Sequence, residues 1–219
     1  MTASAAELIG ELRREFAPGA EANRLVPAIA AGTAPLAVVA ALAAEEHRIV
    51  PSDRRSFLLL AARSADAPAG DFFAGLAAGE SLALATLPAL AAACGLDEAA
   101  VRDYPPRAGC QAYPAYVAWL AVNAAPADVV LAVLANFDAW GQYCGTLARA
   151  LRERYGLTDE ACAFFDFFAT PVPEIERQAV AAVQAALDAG HAPTAARGHA
   201  RLLQTYELMF WNTLADDIA

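Results

Sequence analysis

The 219-residue chain is 58% hydrophobic and 18% charged, and its 25 acidic and 15 basic residues give a net charge of −10. Nucleic acids and anionic membrane surfaces bind clustered Lys and Arg, and no basic run here exceeds two residues, which argues against both as direct partners. Alanine and leucine dominate while β-branched residues are sparse, so the sequence predicts an all-α bundle that forms a single domain over residues 1–219.

Proline and glycine punctuate the chain into about eight to ten predicted helices. Pro51 and Ser52 mark a kink or restart in the third of them, Pro88 marks a bend, and Gly156 is a predicted C-cap. No linker, charge block or internal repeat divides the chain. The predicted helices cover 4–16, 21–31, 34–50 with a continuation to Arg63, the stretches from APAGD to CGLDE, 97–103, 110–124, 126–155, 159–169, 172–189 and 194–217.

Location in the cell is predicted from the N-terminus, from the apolar stretches and from the cysteines. Residues 1–16 form an amphipathic pattern without the basic start and apolar run of a signal peptide. The longest uncharged stretch, 108–127, is interrupted by Pro114 and Pro126, which predicts a buried helix pair rather than a membrane span. We therefore expect a soluble, cytoplasmic protein. Its four cysteines lack metal-ligand spacing and are predicted to be reduced core thiols: Cys94, Cys110, Cys144 and Cys162.

Three carboxylates, Glu46, Asp138 and Glu207, fall on the apolar faces of three separate predicted helices, because side chains three, four or seven positions apart share one face. An unpaired buried carboxylate must find a polar partner or take up a proton. Either each acid only holds helices together, or the three share a polar pocket, and their occurrence on three helices favours the pocket. The apolar neighbours are Leu42 and Ile49, Leu131 and Leu134, and Leu203 and Phe210, and Gly141 and Gly145 are expected to leave room beside Asp138.

The stretch YELMFWNTL, residues 206–214, resembles the closing E-x-x-F-W signature of the TenA family. A tyrosine-rich helix (AYPAYVAWL), a helix with the sequence FDAW and an aromatic segment (AFFDFF) precede it in the order found in that family. The resemblance covers nearly the whole chain and is weakest in the first 60 residues. It implies a haem-oxygenase-like multi-helix bundle, the fold of thiaminase II and of PqqC-like proteins.

The resemblance also implies roles for individual residues. In thiaminase II a cysteine attacks the pyrimidine, a C-terminal glutamate moves protons, and an acid and several tyrosines hold the ring. These roles fall on Asp138 in place of the cysteine, on Glu207, on Glu46 and on Tyr116. The tyrosine one turn beyond the nucleophile is replaced by Gln142. Aromatic side chains near the acids are predicted to stack on a flat ligand, among them Phe164 or Phe165 and also Tyr206.

The replacement of the cysteine leaves three functional hypotheses open. A carboxylate is a poorer nucleophile than a thiolate, and Cys144 points away from the face of Asp138. Hydrolysis of a C–N bond in an aminopyrimidine or thiamin-related heterocycle would then use Asp138 and Glu207 in acid–base catalysis. Alternatively, the protein binds or senses a small molecule without chemistry. The third hypothesis is an enzyme with unrelated chemistry.

No cofactor or metal is predicted. Helical iron sites need His and Glu or Asp at one-turn or two-turn spacing, whereas His191 and His199 are expected around a loop and away from the helices of the acids. His47 adjoins Glu46 and is predicted to make a surface or inter-helix hydrogen bond. The expected partner is a small aminopyrimidine-like heteroaromatic ligand. The resemblance further implies a homodimer or homotetramer.

Overall fold

The structure, a computed structural model, describes residues 4–19, 21–65 and 67–218. Within these ranges the chain forms ten helices and no strand, which confirms the predicted all-α fold. The helices are α1 (Ala5–Phe16), α2 (Leu25–Ala31), α3 (Leu36–Arg63), α4 (Pro68–Ala93), α5 (Glu98–Asp103), α6 (Ala108–Asn123), α7 (Pro126–Tyr155), α8 (Asp159–Ala169), α9 (Pro173–Asp188) and α10 (Ala196–Ala215).

Side-chain caps and left-handed glycines explain where several helices begin and end. Ser4 and Glu7 form a capping box at the start of α1, in which each side chain accepts a hydrogen bond from the other residue's backbone N–H. Thr158 caps α8 by accepting from the backbone N–H of Ala161. Gly156 ends α7 with a φ of 69°, as its predicted role as a C-cap requires.

Two predicted helix boundaries are wrong. The second helix begins at Leu25 rather than at residue 21, because the Asn23 side chain accepts from the backbone N–H groups of Leu25 and Val26 and holds the preceding residues in a turn. The third helix does not restart at Pro51, since α3 runs through this residue as one element of 28 residues. The residues before and after Pro51 therefore belong to one continuous helix.

Apolar side chains form two clusters at the two ends of the bundle. The first contains α2, the N-terminal half of α3, α8 and the C-terminal halves of α7 and α10. The second contains α1, α9, the C-terminal part of α3 and the N-terminal halves of α7 and α10. Since α3, α4, α6, α7 and α10 run through both clusters, their middle turns form a separate level between them. Polar side chains at that level meet in the interior of the bundle.

One helix, α4, is long and apolar enough by composition to cross a membrane, although only 33% of its most apolar window is buried. In this fold α4 packs along α3 and also contacts α8 and α9. It carries Glu80 into the interior of the bundle. These contacts show α4 packed within the bundle on one side, and the cytoplasmic location stays a prediction.

The close packing of α4 on the end of α3 depends on Gly70. A Cβ atom there would lie 2.5 Å from the backbone oxygen of Ser64, so Gly70→Ala must push the two helices apart. We expect Gly70→Ala to lower the free energy of unfolding by about 1–3 kcal/mol. Gly198→Ala is the matched control, because a Cβ there meets no atom within 4 Å. It is expected to stabilise α10 by up to about 1 kcal/mol. Urea denaturation measures both changes, and equal effects would contradict the packing argument.

Candidate functional site

A cavity of about 880 Å³ lies at the middle level of the bundle, between the two apolar clusters. Helices α3, α4, α6, α7 and α10 contribute to its wall, and the turn between α8 and α9 closes one side. Aromatic rings provide much of its apolar surface, namely Phe57, Trp140, Phe167, Phe168 and Phe210. A volume of this size falls within the range of about 300–1,000 Å³ typical of small-molecule sites.

Four carboxyl groups line the interior of this cavity, and we call Glu46, Asp53, Glu80 and Glu207 the acidic wall. Glu46 and Glu207 are each 2% exposed, which confirms the burial predicted for these two acids, and Asp53 is 5% exposed. In the described part of the chain none of the four forms an ion pair. The interior of the cavity is therefore a site of concentrated negative charge or of bound protons.

Glu207 is held by two neutral donors. The indole Nε1–H of Trp211 donates to Glu207 Oε1 at 2.9 Å, and the Asn136 amide donates to Oε2. Burial raises the pKa of Glu207 to about 7, although both hydrogen bonds oppose this by favouring the carboxylate. Trp211 in turn packs against Trp140, whose ring lines the cavity, with 5.2 Å between ring centroids. Glu207 is thus a carboxyl group in fixed orientation that exchanges its proton near neutral pH.

The other members of the acidic wall affect one another. Burial, followed by the nearby carboxyl groups of Asp53 and Glu45, raises the pKa of Glu46 well above its ordinary value. Burial likewise raises the pKa of Asp53 and Glu80 well above their ordinary values, and Asp53 and Glu46 add to the effect on Glu80. Burial first, and then the charges of the acidic wall, raise the pKa of the Tyr113 hydroxyl, so it stays protonated as a donor.

Asp138 lies at the mouth of the cavity, and the expectation that it points inward is wrong. Its side chain is 58% exposed and its Oδ2 lies 3.4 Å from Arg13 Nε. Arg13 also donates two hydrogen bonds to Glu176, at 2.8 and 2.7 Å, and so joins α1, α7 and α9. Asn136 points into the bundle instead, where it donates to Glu207. Residues two positions apart on a helix point about 200° apart, so Asn136 and Asp138 face opposite sides of α7.

The two glycines after Asp138 serve a different purpose from the one expected. A Cβ at Gly141 would lie 3.2 Å from the backbone oxygen of Phe168, and one at Gly145 would lie 3.5 Å from the Ala169 side chain. The glycines thus allow α8 to approach α7 and to close the cavity with Phe168, instead of leaving room for Asp138. Gln142 is exposed and lines the cavity on this side.

Tyr116 and Tyr206 do not line the cavity, so the contacts predicted for them are wrong. They form a separate cluster where α6 meets α10, with ring centroids 5.2 Å apart. The Tyr116 hydroxyl lies 2.9 Å from His199 Nδ1, and its ring stacks on Trp119. His199 belongs to α10, the helix of Glu207, and not to a loop as expected. The tyrosine that lines the cavity is Tyr113, one turn earlier on α6.

Phe165 is also outside the cavity. Its side chain is fully buried against Phe164, with ring centroids 5.3 Å apart and the rings nearly perpendicular. The aromatic rings of α8 that line the cavity are those of Phe167 and Phe168, two and three positions further on. Phe164 therefore supports the cavity wall from behind through its contact with Phe168, and Phe165 packs against Phe164.

The four cysteines are free thiols, and two of them lie close to the acidic wall. Burial raises the pKa of Cys144 well above its ordinary value, and the charges of Glu46 and Glu207 raise it further. Burial also raises the pKa of Cys110, whose Sγ lies 3.9 Å from the backbone oxygen of Phe210. Both thiols are therefore protonated at neutral pH and unsuited to nucleophilic attack. Among the described residues, no three His, Cys, Asp or Glu side chains are placed to hold a metal ion.

Comparison with solved structures identifies the fold. A domain of unknown function with a haem-oxygenase-like fold from Shewanella denitrificans aligns with a TM-score of 0.73 at 16% identity, over 100% of this chain and 97% of the other. A TenA homologue from Pyrococcus furiosus aligns with a TM-score of 0.70 at 18% identity, over 95% and 98% of the two chains. A TenA homologue from P. horikoshii gives 0.66 at 15% identity, over 96% and 95%.

These alignments show that the chain has the haem-oxygenase-like fold over its full length, as the sequence resemblance implied. No protein-family model matches the sequence, and no curated protein matches it either. The fold is therefore established by shape at identities of 15–18%, and the chemistry must be argued from the cavity itself.

The raised pKa of Glu207 predicts how stability depends on pH. The folded protein holds a proton on Glu207 up to about pH 7, whereas the unfolded chain loses it near 4.5. The free energy of unfolding should therefore fall as the pH rises through this window, by roughly 3 kcal/mol more in the wild type than in Glu207→Gln. Urea denaturation of both proteins across this range measures the difference. Parallel pH profiles would show that Glu207 titrates normally.

Proposed function

We propose that this chain, which has the fold of the TenA homologues, binds a cationic, amine-bearing heteroaromatic compound of the aminopyrimidine class and hydrolyses one of its C–N bonds. The observation that carries the proposal is the combination of an acidic wall and aromatic walls in one interior cavity. Protonated amines and ring nitrogens bind carboxylates, and flat rings stack on aromatic side chains. The sequence resemblance to thiaminase II points to the same class of ligand.

The charge around the cavity favours a cation over an anion. Six carboxyl groups line it, and Arg13 is the one basic residue among the described residues that do so. Arg13 lies at the mouth, where Glu176 and Asp138 already pair with it. An anionic ligand would have to displace these pairs and approach buried carboxylates, whereas a cation replaces the protons that the acidic wall otherwise holds.

Glu207 is the side chain best placed to move protons. A water molecule attacks the carbon that carries the amine, and Glu207 takes its proton as the C–O bond forms. The same carboxyl group then gives this proton to the nitrogen as the C–N bond breaks, which yields a hydroxyl product and a free amine. A pKa of about 7 suits both steps, since neither form of the carboxyl group is scarce at neutral pH. Asn136 and Trp211 hold the group in place.

A second candidate function is binding without chemistry, as in a sensor or carrier of the same ligand. It is favoured by the absence of a thiolate beside Glu207 among the residues that the structure describes. Both Cys110 and Cys144 have a raised pKa, and the α7 side chain that contacts Glu207 is the neutral amide of Asn136. This function needs the cavity and the acidic wall but no turnover. The two candidates therefore agree on the ligand class and differ in the reaction.

Thermal shift against thiamin and aminopyrimidine derivatives, followed by assays for released amine, separates the two candidates. A ligand at 100 times its Kd should raise the free energy of unfolding by about 2.7 kcal/mol. For a hydrolase, Glu207→Gln should lower kcat by roughly 10²–10⁴-fold, while the Kd changes far less. Asp71→Asn, which removes an exposed carboxylate from α4, is the control for charge. Binding without turnover supports the second candidate, and no shift with any compound contradicts both.

The position of Asp138 gives a further prediction. Since its side chain is exposed and paired with Arg13, Asp138→Asn should lower kcat by less than about tenfold, a far smaller loss than for Glu207→Gln. The nucleophile role implied by the sequence resemblance would require losses of similar size in the two variants. Steady-state kinetics of both variants on the same substrate decides between these outcomes.

A further inference from the structure

The amide of Asn136 is held by two side chains of α10. Its Nδ2 donates to Glu207 Oε2 and also to Gln204 Oε1, the second of these at 3.3 Å. Gln204 and Glu207 lie three positions apart, about one helical turn, so they share a face of α10. A primary amide has two N–H donors, one for each of these acceptors. The two contacts together determine which end of the Asn136 amide faces Glu207.

Gln204 lies behind the cavity wall. Asn136 and Glu207 both line the cavity, whereas Gln204 is absent from its lining and is 7% exposed. Its buried neighbours on α10, Ala200 and Leu203, belong to the second apolar cluster. An influence of Gln204 on chemistry in the cavity must therefore act through Asn136.

Stability alone does not explain a glutamine at position 204. Its Nε2 is buried and has no hydrogen-bond partner in the described part of the chain. A buried donor without a partner opposes folding, and this cost offsets much of what the single hydrogen bond with Asn136 contributes. An apolar side chain of similar volume would pack among the neighbours without that cost. The contact with Asn136 is what distinguishes glutamine from methionine at this position.

The orientation of the Asn136 amide depends on this contact. The last torsion of an asparagine side chain is nearly two-fold, so the nitrogen and oxygen can exchange places at little cost. A Glu207 carboxylate accepts only from the N–H end. Once Glu207 is protonated, however, its O–H can donate to the amide oxygen, and Glu207 no longer fixes the amide by itself. Gln204 Oε1 still favours the N–H end, because a turned amide would bring two oxygens together.

We propose that Gln204 is a positioning residue for Glu207, because it holds the amide of Asn136 so that an N–H donor faces the Glu207 carboxyl group in both protonation states. Burial raises the pKa of Glu207 and the hydrogen bond from Asn136 opposes this, so Gln204 keeps the proton of Glu207 available for release. This inference rests on the proposed function, since it concerns the group that moves the proton there. It adds a residue that does not itself line the cavity.

Titration of Glu207 in the ligand-free protein tests the proposal. Carbon-13 NMR of protein labelled at its glutamate carboxyl groups follows the titration, and the signal that disappears in Glu207→Gln identifies the residue. In Gln204→Met the midpoint should move up by about one pH unit, because a turned Asn136 then accepts a hydrogen bond from the acid form. Gln204→Asn keeps the amide but is too short for the contact, and it should shift the midpoint in the same direction. The urea midpoint of Gln204→Met should stay close to that of the wild type.

Two controls connect the shift to Asn136. In the background of Asn136→Leu, Gln204→Met should add no further shift, because its effect acts through Asn136. Gln178→Met replaces a partly buried glutamine of α9 that does not line the cavity, and it should leave the Glu207 midpoint unchanged. The titratable groups whose pKa Glu207 affects are the same in all these variants, namely Glu46 on α3, Tyr113 on α6, and Tyr143 and Cys144 on α7.

The outcomes separate this inference from the proposed hydrolysis. An unchanged midpoint in Gln204→Met overturns the role of Gln204, whether or not the urea midpoint falls, because the two amides would then turn together or Gln204 would only stabilise the bundle. An equal shift in the Asn136→Leu background also overturns it. Turnover of an aminopyrimidine together with an unchanged midpoint would sink the role of Gln204 alone. A shifted midpoint without turnover of any aminopyrimidine would uphold that role and contradict the proposed chemistry.

Discussion

Four carboxyl groups are kept in the interior of a helical bundle without an ion pair in the described part of the chain, and the arrangement around them follows from this constraint. Taking a carboxylate out of water without a cation costs several kcal/mol, unless the group takes up a proton or is solvated by polar neighbours. Both remedies are present. Burial raises the pKa of all four acids, and Glu207 also accepts hydrogen bonds from Asn136 and Trp211.

The carboxyl groups of the acidic wall lie apart from most of the apolar residues that stabilise the bundle. On each of five helices, one polar residue of the cavity lies between the last buried apolar residue of one cluster and the first buried apolar residue of the other. Glu46 is the exception, since it lies one turn inside the first cluster. The two apolar clusters at the ends of the bundle therefore supply the hydrophobic stabilisation, whereas the buried polar groups of the middle level oppose folding. The residues that follow this rule are Asp53, Glu80, Tyr113, Asn136 and Glu207, with two of them on α3 and α4, which pack together.

The sequence predicted most of the fold and half of the acidic wall. Amphipathic spacing was sufficient for Glu46 and Glu207, because apolar residues one turn before and after each acid define its face. It failed for Asp53, because Pro51 and Ser52 were interpreted as a kink or restart, and a helix boundary there removes the connection to Glu46. It failed for Asp138 because every residue from 128 to 136 on α7 is buried. An apolar stretch that is buried on all sides does not show which face of the helix points into the cavity.

Contacts between helices determine which side chains face the cavity where the spacing along one helix does not. Tyr113 and Tyr116 are one turn apart on α6, and only the hydrogen bond of Tyr116 with His199 on α10 shows which of them faces away from the cavity. Asn136 carried no signal at all, since an amide in an apolar run is also typical of a residue that only joins two helices. Its partner is on a helix 71 positions later in the chain. Single-sequence periodicity contains no information on such pairs.

On α7 the residue that contacts Glu207 is Asn136 and not the predicted Asp138. This difference changes the chemistry that the cavity could perform. Asn136 is a donor to Glu207 and lacks a nucleophilic atom, and the thiols of Cys110 and Cys144 are protonated. A covalent route through a thiolate therefore has no attacking group beside Glu207 among the described residues. In the proposed hydrolysis the oxygen that enters the product comes from water, and the acidic wall holds the cationic ligand so that this water, Glu207 and the reacting carbon are in line. Binding and catalysis would thus both depend on the carboxyl groups of the acidic wall. The same groups that destabilise the fold would then select its ligand.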